Sequence, residues 1–343
     1  MNNSNADIKN QPNSKARYRR ALLFLFISLC AVFILSIFTG RYPSPPFMSP
    51  ATLLQDDLAQ RVVLNLRMPR LITALLLGMS LAAAGMVFQM IFTNPLVEPG
   101  FLGVTQGASF GAALGIVLLG SSAAVTQLCA ALFAFTGLFA SYFIARKMKY
   151  GGWVLRLVLA GIAISALFSA GVGILKFIAD PLTQLQEITF WLLGGLWAIT
   201  WDKLFSILAV VIIGLVILYL MRWRVNLLSL DDQVSFSLGV VPSRERLVVL
   251  IAAVAITSAV ISVSGMVNWV GLIVPHLSRR IFGANGRYAI PGAMLLGGIF
   301  TILCDDIART LLTGEIPLGI LTSLIGAIFF IFLMISNPAR VKA

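Results

Sequence analysis

The sequence predicts an all-α integral membrane protein with about ten transmembrane helices and with both termini on the cytosolic side. Hydrophobic residues make up 59% of the chain and charged residues only 11%, which leaves too little polar surface to cover a soluble core. The mean hydropathy is +0.96. Apolar runs of about 20 residues, the length that a helix needs to cross a bilayer, recur along the chain.

The N-terminal part of the chain predicts a tail followed by a retained first span. Residues 1–20 are polar and basic, and we predict a disordered cytosolic tail there. The apolar run 21–39 is too long for a signal peptide, the alternative, and no small-residue cleavage site follows it. The proline-rich stretch Tyr42–Pro50 predicts an external loop. Residues 21–338 are predicted to form a single transmembrane domain.

Nine further apolar runs complete the predicted membrane domain. They cover 65–92, 101–119, 122–146, 153–178, 202–221, 245–264, 269–282, 288–312 and 317–336. An even number of spans places both termini on one side, and the loops on that side contain most of the 25 Lys and Arg residues. The positive-inside rule therefore predicts that both termini and the loop 222–246 are cytosolic.

The stretch 181–200, between the fifth and sixth spans, is predicted to be an amphipathic helix at the outer surface. Trp191, Trp197 and Trp201 would lie at the depth of the membrane interface. A re-entrant segment is the alternative.

Several classes of function are excluded by what the sequence contains. The net charge is +12, but its basic residues lie mostly between apolar runs, so we predict no nucleic-acid partner. Cys30, Cys129 and Cys304 lie within apolar runs, and His276 is the only histidine, so we predict no metal site. The sequence has no nucleotide-binding glycine-rich loop and no catalytic constellation. We therefore predict that the chain is not an enzyme and binds no cofactor.

The loop 222–246 is predicted to contain a short helix that has capping residues at both ends. We predict that Ser229 caps it, that Asp231 and Asp232 lie at its positive end, and that Gly239 ends it. Its apolar residues recur at a spacing of four: Leu230, Val234 and Leu238. This is either an ordinary cytosolic loop whose arginines fix the topology, or a knob that presses into a soluble partner.

Two features point to a transport pathway. The loop 93–100 carries two prolines at membrane depth, where irregular backbone is tolerated only inside protein or beside water. Gly103, Gly107 and Gly111 belong to a run of small residues. They could let helices pack closely, or they could form a smooth wall of a wide channel.

Basic residues on the outer side also call for an explanation. Arg67, Arg70 and Arg309 lie near outer helix ends, against the positive-inside trend. They could reach lipid phosphate or pair with Asp305, Asp306 and Glu315, or they could receive acidic residues of a docking protein. The two aspartates could serve a proton-coupled carrier, although the spacing to Arg309 favours a structural ion pair.

Four segments, taken together, resemble one protein family. They are RMPRLITALLLGMSLAAAGMVFQMIFTNPLVEPGFLGVTQGASFGAALG, LLSLDDQVSFSLGV, NWVGLIVPHLSRRIFG and CDDIARTLLTGEIPLGILTSLIGA, and they run from Arg67 to Ala327. The family is that of the FecCD-type permease subunits of ABC importers for iron-siderophores, haem and vitamin B12. The resemblance implies a multi-pass protein of the cell inner membrane. It also implies a second permease subunit, identical or paralogous, two cytosolic ATPases that bind ATP and Mg, a periplasmic binding protein, and surrounding lipid.

The resemblance also implies roles for individual residues. It implies binding-protein docking at Arg67, Arg70 and Arg309. From the small-residue pattern we also predict a translocation pathway along Gly103, Gly107 and Gly111. It implies ATPase coupling through Ser229, Leu230, Asp231, Asp232, Val234, Leu238 and Gly239, and a cytosolic gate at Asn94, Pro95 and Leu96. The expected cargo is an iron-siderophore complex, with vitamin B12, haem or a molybdate-type oxyanion as alternatives.

Overall fold

The structure is a computed structural model that describes residues 11–120 and 122–336. Within these ranges the backbone forms helices and turns, one isolated bridge between Thr39 and Phe47, and no strand. The helices are α1 (Gln11–Phe38), α2 (Pro50–Gln55), α3 (Asp57–Val62), α4 (Met68–Ile91), α5 (Val104–Leu118), α6 (Ala123–Lys147), α7 (Trp153–Ile178), α8 (Gln184–Leu193), α9 (Trp201–Met221), α10 (Arg224–Leu228), α11 (Asp232–Ser237), α12 (Pro242–Ser264), α13 (Val270–Phe282), α14 (Gly286–Thr310) and α15 (Leu318–Ser336). A π-helical turn, Val63–Arg67, leads into α4, and a 3-10 turn, Pro99–Leu102, precedes α5.

The predicted all-helical membrane architecture is confirmed in its main features. Seven helical stretches among the described residues are long and apolar enough to cross a bilayer: α1, the continuous run from α3 through the π-helical turn to the end of α4, α6, α7, α9, α12 and α14. The helices α5 and α15 are shorter and apolar, and α13 has only 13 residues. The total of ten spans stays a prediction.

Helix α4 forms the centre of the molecule. In its most apolar window 83% of the residues are buried inside the chain, against 17% in α1. It contacts α9, α12, α13 and α14. It crosses α14 closely at Gly78, where an added Cβ would lie 2.0 Å from the carbonyl oxygen of Gly297. Glycine at both positions therefore lets the backbones of α4 and α14 touch.

The prediction of a disordered tail is wrong for residues 11–20. Helix α1 begins at Gln11, and the ring of Tyr18 lies 6.1 Å from that of Phe282 and 5.0 Å from that of Tyr288. Lysine and arginine have good helix propensity, and the adjoining apolar helix removes the cost of nucleation. Residues 1–10 of the predicted tail, and residues 337–338 of the predicted domain, lie outside the described ranges.

The predicted helix over 181–200 is shorter than expected. Helix α8 ends at Leu193, because Gly194 adopts a φ of +66° and lies against the Met266 carbonyl. The Gly195 N–H then donates to the Ser264 carbonyl at 2.7 Å. Gly194 and Gly195 thus turn the chain away from the axis of α8. Trp201, which was expected at the end of this helix, is the first residue of α9.

Candidate functional site

The segment between α9 and α12 folds into two short helices. Asp231 caps α11, since its Oδ1 accepts the Gln233 N–H at 3.0 Å. The Ser229 hydroxyl instead donates to the Asn226 carbonyl at 2.7 Å, at the end of α10. The prediction that Ser229 caps the helix is therefore wrong, because the serine serves the preceding helix. Gly239, with a φ of +80°, follows the end of α11 as predicted.

Around α11 the chain presents an exposed apolar surface, which we call the apolar knob. Its side chains are between 43% and 68% exposed: Leu230, Val234, Phe236 and Leu238. The sequence analysis did not predict Phe236 as part of this surface, because Phe236 does not follow the four-residue spacing of Leu230, Val234 and Leu238. Ion pairs join the segment to α12, from Arg224 to Glu245 and from Asp232 to Arg246 at 2.6 Å. An apolar surface held in this way is typical of a protein contact.

A continuous series of contacts connects the apolar knob to the start of α7 and to the end of α4. Arg246 pairs with Asp232, donates to the Leu228 carbonyl at 3.2 Å, and lies 5.3 Å from the ring centre of Trp153. The Trp153 ring stacks on Phe92 at 5.8 Å. Trp153 is the first residue of α7, and Phe92 follows Ile91, the last residue of α4. We call Arg246, Trp153 and Phe92 the contact chain; the sequence held no signal that pairs them.

The predicted gate residues begin two positions after Phe92. The Leu96 N–H donates to Asn94 Oδ1 at 2.9 Å, which closes a tight turn around Pro95. All three residues are exposed. The Asn94 N–H also donates to the Gln89 carbonyl at 3.1 Å, which fixes the loop to the end of α4. That these residues close a pathway stays a prediction.

The predicted pathway wall of glycines is contradicted by the packing of α5. An added Cβ at Gly107 would lie 2.3 Å from the Phe133 carbonyl oxygen, and one at Gly111 would lie 2.2 Å from that of Cys129. Gly103 has a φ of +77° and lies against Ile164. The three glycines are buried and let α5 touch α6 and α7, which was the alternative explanation of the pattern.

Replacing Gly107 by leucine is therefore expected to separate α5 from α6 and to lower the free energy of unfolding by at least about 1–3 kcal/mol. Thermal unfolding of the purified protein in detergent would measure this. Gly173→Leu on α7 is the matched control, since a Cβ there meets nothing within 4 Å. Equal stability of the two variants would contradict the packing role.

The three outer arginines form ion pairs and hydrogen bonds within the chain. Arg70 Nε donates to Asp305 Oδ1 at 2.9 Å, and Arg70 Nη1 donates to Glu315 at 2.9 Å. Arg309 pairs with Asp306 and donates to the Ser36 carbonyl at 2.7 Å. Arg67 donates hydrogen bonds to the carbonyls of Ile37 and Tyr42, each at 2.9 Å.

These contacts leave the arginines less exposed than the sequence predicted, while their role in docking a binding protein stays a prediction. Arg67 is 5% exposed and Arg309 is 6% exposed. Three acids face the three arginines, so the cluster carries no net positive charge. It borders a cavity of about 350 Å³ that Trp197 also lines. Because Asp305 and Asp306 are both paired with arginine, their arrangement favours a structural role over proton coupling.

No group of three or more metal-binding side chains occurs in the part of the chain that the structure describes.

Comparison with known proteins gives consistent matches over most of the chain. The model of the FecCD transport family matches residues 28–336. A molybdate import system permease protein of Haemophilus influenzae is 38% identical, with 93% of this chain and 96% of the relative covered. A probable iron chelatin transport system permease protein of Helicobacter pylori is also 38% identical, covering 80% and 82%. A hemin transport system permease protein of Yersinia pestis is 35% identical, covering 94% and 97%.

A solved structure shares the fold. It is described as an inward-facing conformation of an ABC transporter of the metal-chelate type, and it is 37% identical in sequence. It superimposes with a TM-score of 0.85, with 93% of this chain and 100% of that chain covered.

Proposed function

The chain belongs to the FecCD transport family, and on this premise we propose that it is the membrane permease subunit of an ABC importer that moves an iron-siderophore complex into the cytosol. It crosses the inner membrane ten times with both termini in the cytosol. It works with a second permease subunit, two ATPases and a periplasmic binding protein. ATP and Mg are bound by the ATPases, and this chain catalyses no bond chemistry.

The apolar knob is the observation that supports this function best. Its exposed apolar side chains lie in a segment flanked by arginines, as a docking site for a soluble subunit requires. The contact chain leads from this surface to the start of α7 and the end of α4. Closure of the ATPases could therefore be passed to the membrane helices as a rigid-body movement.

Iron-siderophore is proposed as the cargo because relatives carry iron chelatin, iron hydroxamate and ferric citrate in their names. Other relatives are named for haemin, cobalamin and molybdate, which are the alternative cargoes. A proton-coupled carrier that uses Asp305 and Asp306 would need these two acids to be free, and their pairing with arginine gives it no support.

Uptake of labelled ferric siderophore and labelled cobalamin, side by side in cells with and without this chain, tests the proposal. We expect the iron signal alone to be lost without the chain. Uptake that collapses with an uncoupler while ATP is held constant would overturn the ABC mechanism. The knob is tested by Phe236→Asp, which should prevent the ATPases from copurifying, with the exposed Leu54→Asp on α2 as the control.

A further inference from the structure

Unpaired cations surround the contact between the start of α1 and the turn that joins α13 to α14. At this contact the ring of Tyr18 packs against the rings of Phe282 and Tyr288. Five exposed arginines lie within two residues of one of these three rings: Arg17, Arg19, Arg20, Arg280 and Arg287. None of the five side chains forms an ion pair or a hydrogen bond with another described residue. We call these five residues the arginine cluster.

No acid lies in either segment that builds the arginine cluster. Residues 11–55, which include α1, contain neither Asp nor Glu. The same holds for residues 266–304, which include α13 and most of α14. Like charges that lie close together repel one another, and an opposite charge placed among them removes that cost. The surface therefore suits an anion from outside the chain.

The arginines at the other end of α1 are arranged differently. Arg41 donates to the carbonyls of residues 313 and 314, and Arg67 donates to the carbonyls of Ile37 and Tyr42. Arg309 pairs with Asp306. These side chains thus find acids and carbonyls within the chain, whereas those of the arginine cluster do not.

The arginine cluster lies where the apolar surface of α1 begins. The most apolar window of α1 is only 17% buried inside the chain, so most of this helix faces outward. Leu23 and Phe24 follow Arg20 within about one helical turn, and they are 60% and 69% exposed. A phospholipid has its phosphate and its acyl chains in the same order along the membrane normal. Tyr18 lies at the level where aromatic residues meet the headgroups.

We propose that the arginine cluster binds the headgroup of an anionic phospholipid of the cytosolic leaflet, with the acyl chains against Leu23 and Phe24. The inference rests on the orientation given under the proposed function, which places this end of α1 in the cytosol. Arginine donates paired hydrogen bonds to phosphate oxygens. Basic groups that come from neighbouring membrane helices on the cytosolic side attract anionic headgroups. A headgroup held from both segments would fasten the start of α1 to the turn between α13 and α14.

An acidic surface of a soluble subunit is the alternative occupant. The exposed side chains next to the cluster favour lipid, because Leu23, Phe24 and Ile281 are apolar and between 41% and 69% exposed. Acyl chains cover such residues inside the bilayer, where a soluble subunit does not reach. The charge and the apolar surface together therefore match a lipid.

Lipid retained by the purified permease tests the site. The permease would be extracted into detergent from phosphatidylcholine vesicles with a minor share of phosphatidylglycerol, and the bound lipid would be counted by mass spectrometry. We expect phosphatidylglycerol to be enriched at least about tenfold over its share in the vesicles. Added inorganic phosphate should not displace it, because free phosphate has no acyl chains. No enrichment, or displacement by inorganic phosphate, would overturn the proposal.

A pair of variants tests whether both segments hold the headgroup. Arg19→Gln with Arg287→Gln removes one cation from each segment and should lower the enrichment at least about tenfold. The matched control is Arg146→Gln with Lys147→Gln, which also removes two exposed cations, but from the end of α6 alone. It should leave the enrichment unchanged. An equal loss in the control would show general surface charge rather than a site, and would overturn the proposal.

Further measurements separate lipid binding from folding and from the importer function. Arg19→Lys with Arg287→Lys keeps both charges and should retain more phosphatidylglycerol than the glutamine pair. If the glutamine pair does not fold, the enrichment on the unmodified permease decides. Loss of copurifying ATPases from the glutamine pair, with lipid still bound, would assign the cluster to a protein contact and overturn the lipid site. Retention is measured on the permease alone, so its failure leaves the importer function standing, and a failure of uptake leaves the lipid site standing.

Discussion

Replacing Arg70 by methionine is expected to lower the free energy of unfolding by about 3–5 kcal/mol, the largest loss that we expect from a single substitution in this chain. The carboxylate of Asp305 is fully buried, and both of its oxygens accept hydrogen bonds from Arg70. The next cation, Arg309 Nε, is 3.8 Å away, too far for a hydrogen bond. Methionine fills much of the volume of arginine but leaves the aspartate buried without a cation that donates a hydrogen bond to it.

Thermal unfolding in detergent, followed by tryptophan fluorescence, would measure this loss. Arg61→Met, at an exposed position on α3, is the control and should unfold at the temperature of the unmodified protein. The double variant Arg70→Met, Asp305→Asn should recover part of the stability, because it removes the buried charge. An Arg70→Met protein as stable as the control would show that the ion pair is not structural.

Replacing Trp153 by leucine is expected to reduce ATP-driven uptake by at least tenfold while the ATPases remain bound. Trp153 is the middle member of the contact chain, between the Arg246 guanidinium and the Phe92 ring. Leucine keeps the site apolar but removes both ring contacts. The pair between Arg246 and Asp232 would remain, so the apolar knob should still be anchored.

Copurification of the ATPases, ATP hydrolysis and uptake, measured together in liposomes, separate assembly from transmission. The expected pattern is normal copurification and continuing hydrolysis with uptake lost. Trp223→Leu is the matched control, since Trp223 is exposed in the same segment and outside the contact chain. Normal uptake by Trp153→Leu would remove the contact chain from the mechanism, whereas loss of the ATPases would place Trp153 in the docking surface.

The sequence predicted the elements whose signal is local. Long apolar runs predicted the order of the membrane helices, and Gly239 predicted the end of α11, because hydropathy and a left-handed turn depend on adjacent residues. The cap of α11 was misplaced by two residues, because the sequence did not reveal α10, which uses Ser229.

The functional residues were harder to predict because their roles depend on distant partners. Arg67 and Arg309 were expected on the surface, yet they bond to carbonyls about 30 and 270 residues away along the chain. Gly107 and Gly111 carry the same pattern whether they face a channel or a helix, and only the position of α6 decides between them. The arginine cluster comes from opposite ends of the chain, and only the contacts of Tyr18 with Phe282 and Tyr288 bring its two parts together.

The burial of α4 also constrains how the molecule can change shape. A helix enclosed by α9, α12, α13 and α14 cannot shift without repacking a close-packed interior. We expect α4 to keep its position during each transport cycle. The outer helices and the loops at the two ends of α4 would then move relative to it. The amide hydrogens of α4 should consequently be the last in the protein to exchange with solvent, whichever way the permease faces.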